Sequence, residues 1–109
     1  MQISELQAFI IDKIEDMKAR DIQIVDVKGK SPVTDIMIVC TGTSKTHVRS
    51  ISSHLYLEAK KAEINVLGTE GKEDGEWILV DLGDIVVHIM QQQTRELYQL
   101  EQLWQAAGA

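Results

Sequence analysis

A chain of 109 residues with a single cysteine, Cys40, has room for one domain and cannot form an internal disulfide. Its 44% hydrophobic and 26% charged residues suit a packed globular core, and no apolar run approaches the ~20 residues that span a bilayer. The net charge of −6 argues against a phosphate backbone as the main source of affinity, because nucleic acid is repelled at long range. The lone thiol fits a reducing compartment, and the opening MQISELQ lacks the basic-then-apolar pattern of a secretory leader. The expectation is a cytoplasmic chain forming one domain over residues 1–109, with no membrane contact.

In chain order, Ser4 with Gln7 reads as a capping box, and Leu6, Ile10, Ile14 and Met17 recur at helical spacing. A first helix from Glu5 to Ala19 is expected. Ile22–Val27 reads as a strand ended by the turn Lys28-Gly29-Lys30-Ser31-Pro32. Asp35–Thr41 is almost continuously apolar, as in a strand covered on both faces, and Cys40 inside it reads as a small buried hydrophobe. Ser44 is positioned to cap a second helix whose inner face is Val48, Ile51, Leu55, Ala59 and Ala62. Ile64–Leu67 then reads as a short strand, and Gly68–Gly75 as a charged loop.

The stretch EWILVDLGDIVVHIM (Glu76–Met90) reads as a hairpin, with strands Trp77–Leu82 and Ile85–Met90 around Gly83-Asp84. Thr94 reads as the cap of a last helix with Leu97, Leu100 and Trp104 inward. The order αββαβββα predicts an α/β fold: a five-stranded mixed sheet with flanking helices, its strand order unread.

Charge is unevenly spread. Between Val66 and Met90 six acids face Lys72 alone, a local balance of −5, whereas Thr41–Ala62 carries +3. Such a region favours a basic partner, although a solvated loop gives the same numbers.

Each catalytic candidate has a weakness. Gly29-Lys30-Ser31 resembles the end of a P-loop, but Ile24 stands where the first glycine is required. Thr41-Gly42-Thr43-Ser44 joins strand to helix and offers backbone N–H groups to an anion, yet a glycine turn plus a cap explains it equally. His47 and His54 lie seven apart on one helix, too far along the axis to share a metal. His88 alternates onto the strand face of Val86 and Met90 without a second ligand nearby. Asp81 and Asp84 are three apart across a turn, where paired metal-binding acids of one strand face need a spacing of two. In the turn, Asp84 is expected to bond its own backbone. No cofactor or metal is expected. Trp77, Leu79 and Asp81 share one strand face, and Tyr98 sits beside the inner stripe of the last helix. Trp and Tyr fill cores and also anchor interfaces.

The runs TDIMIVCTGTSKTHV, GEWILVDLGDIVVHIM and RELYQLEQLW, in that order, closely resemble the Iojap/RsfS family, the ribosomal silencing factors. The likeness extends from about Ile3 to Trp104. It implies a nucleotidyltransferase-like fold without catalytic activity. It also implies binding to the large ribosomal subunit through that subunit's protein number fourteen. Occupying the intersubunit face blocks joining of the small subunit and represses translation when nutrients are scarce. Carried onto the matching positions, the contact surface is Trp77, Asp81, His88, Met90 and Tyr98, with Trp77, Met90 and Tyr98 as apolar anchors and Asp81 and His88 as polar contacts. A homodimer is left open. The rival readings are a nucleotide-using, nucleotidyltransferase-like enzyme and an RNA-binding module built on the basic second helix.

Overall fold

A computed structural model describes residues 2–31, 34–100 and 102. The elements run α1 (Ile3–Asp16), β1 (Arg20–Asp26), β2 (Ile36–Gly42), α2 (Lys45–Lys61), β3 (Gly68–Glu70), β4 (Trp77–Asp81), β5 (Ile85–Gln91) and α3 (Gln92–Tyr98). The strands form one mixed sheet in the order β1-β2-β5-β4-β3. Among the described residues, β2 pairs with β5 in parallel, and the other three strand pairs are antiparallel. The element order αββαβββα and the mixed five-stranded sheet agree with the expectation.

The helices α1 and α2 pack against each other and cover one face. Leu6, Ile10 and Ile14 of α1, and Val48, Ile51, Leu55 and Ala59 of α2, meet Ile38, Cys40, Ile78, Val80, Val87 and Ile89 of the sheet. Each fully buried aliphatic side chain contributes about 1.5–3 kcal/mol, so this layer holds the fold. Cys40 is part of it: burial pushes its thiol up to about 12, leaving it without nucleophilic character. Ser44 caps α2 as expected, its hydroxyl accepting the His47 N–H at 3.1 Å.

Several boundaries differ from the expectation for local reasons. The start of α1 lies earlier, with Gln2 as N-cap and its N–H donated to Glu5 Oε1 at 3.4 Å, so Ser4 is inside the helix. It ends at Asp16, because Lys18 adopts a left-handed φ of 59°. Arg20, not Ile22, opens β1, with an irregularity between Arg20 and Gln23. Ala62 is exposed as the C-cap of α2.

The third strand is displaced. Ile64 donates its N–H back to Ala59 O at 2.8 Å, which holds Ile64 and Val66 as a loop packed on the core. Pairing with β4 starts only when Leu67 N–H meets Asp81 O at 2.8 Å, so β3 falls within the segment expected to be loop. Tertiary pairing overrides the weak strand preference of Gly68-Thr69-Glu70.

No cap at Thr94 begins α3, which instead runs directly out of β5. That shifts its phase: Arg95 turns inward and is 8% exposed, while Leu97 turns outward and is 76% exposed. Gln99, with a φ of 49°, stops the helix, and Leu100 packs on the sheet's other face. Trp104 lies outside the described residues. Among those residues, no helix is long and apolar enough to cross a membrane.

Candidate interaction face

Side chains alternate across each strand, so the register that buries Ile78, Val80, Val87 and Ile89 under the helices turns Trp77, Leu79, Asp81, Val86, His88 and Met90 the other way. Three cross-strand rows result. Arg20, Thr41, Met90 and Trp77 form one, and Gln23, Val39, His88, Leu79 and Glu70 the next. Val25, Met37, Val86 and Asp81 form the third. Under this face lies a smaller apolar cluster of Val25, Val27, Met37, Val39 and Met90, against which Trp77 and Leu100 pack.

Above that cluster Trp77, His88 and Tyr98 form one aromatic group. The Trp77 ring lies 4.9 Å from Tyr98 and 5.8 Å from His88, each pair tilted by 49°. Such tilted geometry is attractive for aromatic pairs. Trp77 Nε1–H donates to His88 Nδ1 at 2.9 Å. An indole nitrogen can only donate, so Nδ1 accepts and the imidazole proton sits on Nε2. Burial holds the His88 pKa down to about 4, which keeps that acceptor in place at neutral pH. Tyr98 is 53% exposed, and Trp77 and His88 are half-buried.

Of the five residues expected to form a contact surface, the fold gathers Trp77, His88 and Tyr98. Met90, expected as an apolar anchor, is on the same face but fully buried (0% exposed), so it lies beneath the contact surface and not at it. It faces Trp77 across the end pair of the β4–β5 ladder and supports it from below, buried in the Val25–Val27–Met37–Val39 cluster on which Trp77 and Leu100 pack. Asp81 sits two rows away, half-buried, with Oδ1 accepting the Gly83 N–H at 2.9 Å. It thereby takes the turn-capping role expected of Asp84. The contribution of Asp84 is its carbonyl, which accepts from Asp35 N–H, Ile36 N–H and the Thr34 hydroxyl, tying the hairpin to the start of β2.

The Trp77–His88 hydrogen bond was not anticipated. Once the hairpin register is known it is a diagonal neighbour pair, so strand pairing was the signal that could have found it.

The remaining polar candidates are structural. Thr43 N–H donates to His47 Nδ1 at 2.8 Å, and His47 Nε2 meets Met17 O at 2.7 Å, joining α2 to the end of α1. His54 meets Asp16 Oδ2 at 3.1 Å. In the Lys28–Ser31 turn, the backbone N–H groups of Lys30 and Ser31 donate back to Val27 O, each at 2.9 Å. Beside Thr41-Gly42-Thr43 is an open polar cleft of about 520 Å³ also lined by Arg20, Asp21 and Gln91. Arg95 beneath it donates to Thr41 Oγ1 at 2.8 Å and Asp21 O at 2.5 Å. Among the described residues, no three His, Cys, Asp or Glu side chains come together as a metal site.

Comparison with known proteins is decisive for the family. The family described as "Ribosomal silencing factor during starvation" matches residues 1–109. The chain belongs to the ribosomal silencing factors. A Haemophilus influenzae protein named ribosomal silencing factor RsfS is 48% identical over 91% of this chain and 97% of its own length. A relative of the same name from Chromobacterium violaceum is 38% identical over 95% of this chain and 85% of its own. A crystal structure of a C. violaceum protein superposes with a TM-score of 0.92 at 38% identity, covering 95% of this chain and 87% of that one. A more distant mouse protein, "Mitochondrial assembly of ribosomal large subunit protein 1", is 33% identical over 87% of this chain and 43% of its own length. The aromatic face described above is thus carried by a member of the silencing-factor family.

Proposed function

We propose that this silencing factor binds the large ribosomal subunit through that subunit's protein number fourteen and keeps the small subunit away by bulk. The single observation that carries the reading is the half-exposed Trp77–His88–Tyr98 group on a sheet face that α3 and Leu100 cover incompletely. Family membership supports it, and so does the mouse relative's name, which speaks of the ribosomal large subunit. Charge agrees: the acidic Val66–Met90 region is suited to a basic ribosomal protein and would speed encounter with it.

Steric occlusion needs affinity and placement, not turnover, so the reading requires no catalytic group. It places the protein in the cytoplasm, acting as one domain over residues 1–109. Separated subunits provide the test. Excess protein should co-sediment with large subunits and lower the fraction that re-associates with small subunits. Undiminished re-association in the presence of bound protein would refute occlusion.

A further inference from the structure

Beside the aromatic group is a shallow cleft of about 300 Å³ lined by Glu70, Gly71, Trp77 and Leu79. From this cleft we infer that the interaction face contains a slot for one basic side chain, a lysine or arginine of the partner protein. The inference rests on the docking reading above and specifies the chemistry of what docks.

The slot follows from the ladder. Glu70 is directly opposite Leu79 on the edge strand β3, and Trp77 is two residues before Leu79 on β4, so all three stand on one face. The carboxylate of Glu70 is exposed and has no ion-pair partner among the described residues. Neighbouring acids at Glu73, Asp74 and Glu76 add to the negative potential, with Lys72 opposing them.

Leu79 is the floor, and Gly71 lets the chain close against the backbone of β4 at the slot's end. The glycine's φ is 90°, and a Cβ there would come within 2.0 Å of the Trp77 carbonyl oxygen. An apolar floor, an aromatic wall and a carboxylate at the rim match the two halves of a basic side chain. The methylene stem lies along Leu79 and the indole, and the cation meets Glu70 and the ring face. His88 holds the indole in place through Nε1. A phosphate or an acidic side chain would meet Glu70 with the wrong sign.

The test measures binding of the full chain to purified large subunits at low and moderate salt, using Glu70→Gln, Glu70→Lys and Trp77→Ala. Glu70 is exposed, so its variants should fold, which circular dichroism verifies. Glu70→Gln should weaken binding about tenfold at low salt and flatten the salt dependence, with Glu70→Lys weaker still. Trp77→Ala should weaken binding further, by roughly thirtyfold or more. Unchanged affinity for both Glu70 variants, with Trp77→Ala weakened, overturns the slot and leaves the docking face standing. Normal binding by Trp77→Ala overturns both.

Discussion

On β4 and β5, the residues that turn toward α1 and α2 differ in chemistry from those that turn away. The helix-covered set is Ile78, Val80, Ile85, Val87 and Ile89, all aliphatic and 0% exposed. The other set is Trp77, Leu79, Asp81, Val86, His88 and Met90, of which only Val86 and Met90 are buried. The same backbone therefore carries a face devoted to packing and a face where a hydrogen-bonded aromatic group stands half in water. A hairpin serving stability alone has no need of the second kind of face. The contrast separates what holds the domain together from what it presents.

The largest effect should come from the packed face. Ile89→Ala removes a fully buried side chain and should cost roughly 2–5 kcal/mol in urea unfolding. A loss below 1 kcal/mol would show that the helix layer is looser than its burial implies. On the presenting face the balance should invert. Trp77→Ala should cost about 2–4 kcal/mol of large-subunit binding, the range of an interface hot spot, with the domain still folded. If stability collapses instead while binding by the folded fraction is normal, Trp77 belongs to the packing and the two faces are alike.

How far this contrast could be read from residues alone differs between elements. The hairpin was legible because period-2 alternation and Gly83-Asp84 are local signals, and Ser44 was legible as a cap for the same reason. The structure bears out strong periodicity in α1 and α2. The placement of β3 was not legible: Gly68-Thr69-Glu70 has little strand preference and pairs only because β4 offers an edge. The phase of α3 also escaped, since it depends on where β5 releases the chain and on Arg95 finding Thr41 and Asp21. For the candidate site, parity placed Trp77 and Asp81 together on one strand of the hairpin and His88 and Met90 together on the other. It could not tell that Met90 lies beneath the surface and His88 at it, because that depends on α3 and Leu100 covering part of the sheet.

A smaller effect sharpens the comparison through pH. Folding lowers the His88 pKa from 6.5 to about 4 by burial, so between those values the unfolded chain takes up a proton that the native chain refuses. This contribution to stability is complete above pH 6.5, declines as the pH falls, and is fully lost below about pH 4. Protonation would also place a hydrogen on Nδ1 and break the bond from Trp77. By nuclear magnetic resonance the His88 ring should remain unprotonated well below pH 6, and the stability gap between the parent and His88→Gln should narrow with acid. A ring titrating near 6.5 would mean that the presenting face is wetter than its geometry indicates.

The smallest expected effect concerns Asp81, where the two faces meet at the hairpin turn. Its Oδ1 accepts the Gly83 N–H at 2.9 Å, and Gly83 takes a φ of 88° that a side chain would strain. Asp81→Ala removes that acceptor and should lower stability by about 0.5–1.5 kcal/mol. Asp81→Asn keeps a carbonyl oxygen at the same place and should unfold at the parent's urea midpoint. If the asparagine variant is as unstable as the alanine one, the negative charge rather than the hydrogen bond matters at this position. If both fold like the parent yet bind large subunits more weakly, Asp81 belongs to the presenting face instead of the turn. The part of the presenting face that binds would then extend along β4 as far as the turn.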